Sequence, residues 1–205
     1  MKRLLAFCLL MLPLQVAAQS WPSLYKVVGV VANDSLNVRA GPSAGSDIIG
    51  TLAPDATGVE VVGISPDGKW AQVNSQDSSG WASIRFLSQE QEFDWPPPSL
   101  SCFGTEPFWS ASFIHSREGN IVKFHMMGMD EQEFQFPQVR RSANDSGRYS
   151  ETAWPPQGNN PFNAIFSAQS CNDGMSDRTY GISVDILVPT NRDWAHYSGC
   201  CSISL

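Results

Sequence analysis

The sequence predicts a mainly β protein in two parts, a small barrel of short strands followed by a second, disulfide-clamped antiparallel β domain. Three observations carry this prediction. Between residues 36 and 87, short runs of alternating apolar and polar residues recur between Gly- and Pro-rich turns, the period of two expected of half-buried strands. No stretch sustains the 3.6-residue apolar period of a long amphipathic helix. Beyond Cys8, every cysteine falls in the second part, at Cys102, Cys171, Cys200 and Cys201.

The chain opens with Lys2 and Arg3, an apolar run over residues 4–14, and small residues at Val16-Ala17-Ala18. This is the layout of a secretory signal peptide, residues 1–18, cleaved after Ala18, and it implies a periplasmic or secreted protein. The run is too short to span a bilayer, which takes about 20 apolar residues, and no second run follows, so no integral membrane segment is expected after cleavage. Phe7 is too bulky to precede a lipidated Cys8. The Asn-Asp-Ser triplets at Asn33 and Asn144 are read as turns.

In the first part, Leu36 and Val38 alternate with Asn37 and Arg39, and Gly41-Pro42-Ser43 ends the strand, since glycine permits and proline presets the turn. The same grammar continues through residues 48–52, a turn at Pro54-Asp55, residues 59–64, a turn at Pro66-Asp67-Gly68, then residues 70–73, 80–83 and 86–87. In order and spacing, LNVRAGPS, IIGTL, VEVVG, GKWAQV and GWASIRFL resemble the bacterial SH3 (SH3b) domains, over residues 25–88. The resemblance implies an SH3-like barrel at 19–88 whose usual task is binding, often of cell-wall peptidoglycan or of another envelope protein, and not catalysis. Such barrels recognise extended peptides through aromatic-lined grooves, which makes Trp70, Trp81 and Phe86, with Asn37 and Arg39, the ligand-binding candidates. The competing reading is structural: Trp70 and Trp81 stand where such barrels bury a residue, and Arg39 serves as a bridge between loops.

A polar stretch, Ser88-Gln89-Glu90-Gln91-Glu92, leads into Trp95-Pro96-Pro97-Pro98-Ser99. Consecutive prolines make a semi-rigid extended spacer, so residues 89–100 are read as a linker and 101–205 as the second domain. There, residues 108–115, 120–127, 134–139, 164–168, 182–188 and 194–203 are strand candidates, the first two joined by a hairpin turn at Arg117-Glu118-Gly119-Asn120. Residues 142–161, poor in aliphatics and rich in Gly, Asn and Pro, are expected to be surface loops. An even cysteine count in an exported chain reads as two disulfides with three possible connectivities. Neighbours Cys200 and Cys201 face opposite sides of a strand and so take different partners; Cys171–Cys200 with Cys102–Cys201 is the favoured arrangement. The spacings do not suit zinc.

Three patterns in this domain, GTEPFW from Gly104, CxDGMSDxxY from Cys171 and GCC from Gly199, resemble a group of small exported bacterial domains of unknown function, distantly similar to META-type domains. That resemblance implies a fold and a compartment but no activity. The loop bearing Asp173, Met175, Ser176, Asp177 and Tyr180 reads first as a turn, because Asp-Gly and Ser side chains bond their own backbone; it is also the possible partner loop.

Without the leader the formal charge of −7 becomes −9, because Lys2 and Arg3 leave and no acidic residue does. An acidic chain without a basic stripe disfavours nucleic acid as a partner. His115, His125 and His196 stand in separate strand candidates with no catalytic motif around them. Cys171 as a nucleophile conflicts with an oxidising compartment, and Glu106 with Asp173 as a glycan-hydrolysing pair needs a defined separation. No phosphate loop or metal motif is present. The expectation is therefore a non-catalytic binding protein without cofactor or metal, with peptidoglycan or an envelope protein as partner. The alternative is a lysozyme-inhibitor-like protein or envelope-stress sensor acting through the second domain.

Overall fold

The computed structural model describes residues 22–91, 95–144, 147–190 and 193–204. The expected signal peptide, residues 92–94 of the linker and two residues of the second Asn-Asp-Ser triplet lie outside them. The protein is mainly β: an SH3-like small barrel and a disulfide-clamped antiparallel β domain.

The first sheet holds β1 (Ser23–Val27), β2 (Leu36–Arg39), β3 (Ile48–Leu52), β4 (Val59–Ile64), β5 (Trp70–Ser75), β6 (Ser78–Ser83) and β7 (Leu87–Gln91), with a 3-10 turn at Ile84–Phe86. Their order is β3-β2-β6-β5-β4-β1-β7. The period-two alternation sends Leu36, Val38, Val61, Ala71, Val73 and Ala82 into one core, and removing these side chains from water is what favours the closed arrangement. β1 and β7 lie beyond the strands that alternation reveals. They pair with each other, Tyr25 opposite Gln89, so the start of the expected spacer is strand up to Gln91. The sequence Leu-Ser-Gln-Glu-Gln has no apolar alternation to disclose a strand; backbone pairing with β1 at the sheet edge makes it one.

The second sheet holds β8 (Ser99–Thr105), β9 (Phe108–Ile114), β10 (Asn120–Met126), β11 (Gln132–Phe136), β12 (Val139–Arg141), β13 (Arg148–Ala153), β14 (Phe162–Cys171), β15 (Tyr180–Pro189) and β16 (Trp194–Ile203), ordered β11-β10-β9-β8-β16-β15-β14-β13-β12. Backbone hydrogen bonds in both directions between Gln135 and Trp154 join β11 to the end of β13, so the sheet curls into a nearly closed up-and-down barrel. Phe113, Phe124, Phe134, Phe162 and Phe166 fill it, with the Phe113 and Phe166 rings edge to face at 4.9 Å, a favoured aromatic geometry.

Residues 142–161 are not all surface loop, as their composition suggested. β13 runs through them and buries Tyr149, Glu151 and Ala153. Its inward position 151 is a carboxylate, so the apolar alternation that marks a strand is broken at its centre.

Cys102 and Cys201 stand opposite each other on β8 and β16 and are disulfide-bonded within the core, while Cys171 bonds Cys200. Consecutive residues on β16 thus send their sulfurs to opposite faces. The glycines of two sequence patterns have a packing explanation. A Cβ at Gly104 would meet the Trp109 indole, and one at Gly199 would meet both that indole and the Phe103 carbonyl, so Trp109 lies where two side chains would otherwise project.

The two domains touch along a continuous seam. Leu24 of β1 is buried in the core of the second barrel, and Gly181 leaves room only for Pro22 and Val62. Ile203 N–H donates to Glu60 Oε1 at 3.1 Å. The linker is likewise engaged: Trp95 packs on the second core and its carbonyl accepts a hydrogen bond from Arg141 Nη2 at 2.6 Å.

Candidate functional site

The first domain carries a groove of about 870 Å³. Val30 and Val31, Trp70 at the start of β5, and Ile84 and Phe86, from the 3-10 turn, supply most of its exposed apolar lining, with the buried Leu36 also among the lining residues. Asn37, Arg39, Lys69 and Arg85 supply most of its charge and hydrogen-bonding capacity, with Asp34 as the acidic member. The local reason is the strand period: Ala71 and Val73 point into the core, so Trp70 and Gln72 point out.

Four of the five ligand-binding candidates, Asn37, Arg39, Trp70 and Phe86, are therefore gathered in one groove. Trp81 is not among its lining residues; it stands opposite Arg39 on β2 and Gln72 on β5. Neither tryptophan belongs to the core, where Ala71 and Ala82 take the inward positions. Arg39 does bridge loops, Nη1 donating to the Ser46 carbonyl at 2.7 Å, while also facing the groove. Sequence reasoning missed Lys69, Ile84 and Arg85, which sit just outside the strands in Gly-Lys-Trp and Ser-Ile-Arg-Phe. Their signal was adjacency to two half-buried aromatics on neighbouring turns.

Residues 34–88 match the family model of the bacterial SH3 domain. No curated protein matches the chain. The match takes in most of the groove, from Asp34 to Phe86, while Gly29, Val30 and Val31, which also line it, precede the match, and β1 and the end of β7 lie outside it. Domains of this family are binding modules, typically for cell-wall or peptide targets.

The loop after Cys171 is held by its own hydrogen bonds. Asp173 Oδ1 accepts from the N–H groups of Met175 and Ser176 at 2.9 and 2.8 Å, and Oδ2 from the Ser176 hydroxyl at 2.9 Å; Tyr180 Oη reaches Oδ2 at 3.4 Å. Burial would raise this carboxyl, but the donors around it hold it below the usual aspartate range. Met175 is 69% exposed at the tip. The far half of the loop docks on the bacterial SH3 domain: Ser79 N–H donates to the Asp177 carbonyl at 2.9 Å and Asp177 N–H to the Asp77 carbonyl at 3.1 Å. Asn74 reads both backbone groups of Thr179, Nδ2 donating to its carbonyl at 2.8 Å and Oδ1 accepting from its N–H at 3.1 Å. A loop tied down in this way presents Met175 but not Asp177 as a free backbone wedge.

This contact uses the Ser75–Ser78 end of the β5–β6 hairpin, whereas the groove uses the Trp70–Ser83 end. Among the described residues, the second domain therefore contributes no lining residue to the groove.

Inside the second barrel, His115 Nε2 lies 2.8 Å from Glu151 Oε1. Burial raises the Glu151 carboxyl, and the imidazole pulls it part of the way back. His125 and His196 lie on β10 and β16, and Glu106 is exposed in the β8–β9 turn.

Proposed function

We propose that the protein is a non-catalytic exported binding protein whose bacterial SH3 domain recognises a peptidoglycan stem peptide or an envelope protein partner. The observation that carries this reading is the groove, where an apolar lining including Trp70 and Phe86 meets Asn37 and Arg39 on a face the second domain leaves open. Two disulfides in a chain of this size suit an oxidising, exported setting. The docked loop 173–179 and the Leu24 anchor support a role for the second domain in fixing the orientation of the groove.

The test is co-sedimentation of the mature chain, residues 19–205, with purified peptidoglycan. Wild type is expected to sediment, Trp70→Ala to lose about tenfold in affinity, as a desolvated aromatic anchor does, and Trp81→Ala to bind as wild type. A folded Trp70→Ala variant that sediments unchanged would remove the groove from the mechanism. No sedimentation of wild type would shift the reading from the wall to an envelope protein.

A further inference from the structure

We propose that the groove selects a short peptide by its free carboxylates, with Arg39 and Arg85 as the reading groups; this rests on the wall-peptide reading above. The whole chain has 13 Lys and Arg against 20 Asp and Glu, yet the groove reverses that ratio, with Arg39, Lys69 and Arg85 against Asp34. Among the described residues no carboxylate forms an ion pair with Arg39 or Arg85. The Arg85 guanidinium lies over the Phe86 ring, 4.4 Å from its centroid, a stacking that orients the planar fork without consuming its N–H donors. Arg39 gives only Nη1 to the Ser46 carbonyl, which fixes the side chain and leaves the rest of its fork available. Lys69 has only a long contact of 3.9 Å to Asp67, with both side chains largely exposed, a pairing that hardly competes with a ligand.

The same charges argue for a short ligand over a long polyanion. At physiological salt, fields fade over roughly 8 Å, so a carboxylate seated in the groove feels the nearby arginines more than the net negative charge of the chain as a whole. A chain of phosphates extending past the groove would run along the acidic remainder. The volume, about 870 Å³, falls within the range that holds a small molecule or a few peptide residues. Arginine forks match carboxylates in a bidentate way, and Val31, Trp70 and Ile84 would cover the apolar parts between them.

The probes are a soluble stem tetrapeptide (L-Ala, γ-linked D-Glu, a diamino acid, D-Ala) with free carboxylates, and the same peptide with every carboxylate amidated. Both are titrated calorimetrically into the mature chain, with wall sedimentation measured in parallel. The free acid is expected to bind at least about tenfold tighter than the amide, with the difference shrinking as salt is raised. Arg85→Gln, an exposed position that leaves the loops intact, is expected to weaken the free acid severalfold and leave the amide unchanged. Equal binding of acid and amide, or an unaltered preference in both Arg85→Gln and Arg39→Gln, overturns the carboxylate assignment while wall binding stands. Wall sedimentation with neither soluble peptide bound overturns it too. Absence of both peptide and wall binding overturns the inference and the wall-peptide reading together.

Discussion

Glu60 offers a direct test of how the two domains are joined. It lies on β4 opposite Leu24, accepts the Ile203 N–H, and is pushed up from 4.5 to about 7, chiefly by burial, with the Ile203 hydrogen bond and Arg178 acting in the opposite direction. Between pH 4.5 and 7 the native carboxyl keeps a proton that the unfolded chain has released. Stability contributed at this site is therefore greatest below pH 4.5, declines as pH rises, and is lost above 7. A rise of that size corresponds to a ceiling of about 3 kcal/mol at pH 8; because the residue is only partly buried, about 1–2 kcal/mol is the expected value. Glu60→Gln keeps an acceptor for Ile203 and removes the charge. Urea unfolding at pH 4, 6 and 8 and constant ionic strength should show the variant equal to wild type at pH 4 and about 1–2 kcal/mol more stable at pH 8. A variant no more stable at pH 8, or one with the same advantage at pH 4, would refute the argument that a partly buried carboxyl is raised at the seam.

Other predictions follow from packing. Opening Cys171–Cys200, a separation of 29 residues, with two alanines should cost about 3–4 kcal/mol on the chain-entropy model, and opening Cys102–Cys201, a separation of 99, about 4–5 kcal/mol. Denaturant midpoints of the two double variants check the order, and a smaller loss for the longer loop contradicts it. Gly199→Ala should destabilise by about 2–3 kcal/mol, because the added methyl would meet the Phe103 carbonyl as well as Trp109 and a paired backbone cannot yield as a side chain does. A thermal midpoint within one degree of wild type would remove that explanation of the Gly-Cys-Cys pattern.

The alternation of Leu36 with Asn37 and of Ala71 with Gln72, punctuated by Gly41-Pro42 and Asp67-Gly68, was enough to disclose the first barrel, because each inward residue is apolar and each turn has its own chemistry. The even cysteine count and the opposite faces of Cys200 and Cys201 likewise narrowed the disulfides from the sequence. β13 was hidden because Glu151 takes an inward position, and β7 because its register comes from β1 and not from its own side chains. Local pattern reports whether a residue faces in or out; it was the resemblance to bacterial SH3 domains that offered Asn37, Arg39, Trp70, Trp81 and Phe86 as ligand-binding candidates. Pattern does not report which outward residues from distant turns converge. Only tertiary structure brought Lys69 and Arg85 to the groove, left Trp81 outside it, and turned the loop after Cys171 onto the first domain, because each of these depends on the closure of sheets whose pairing is long-range.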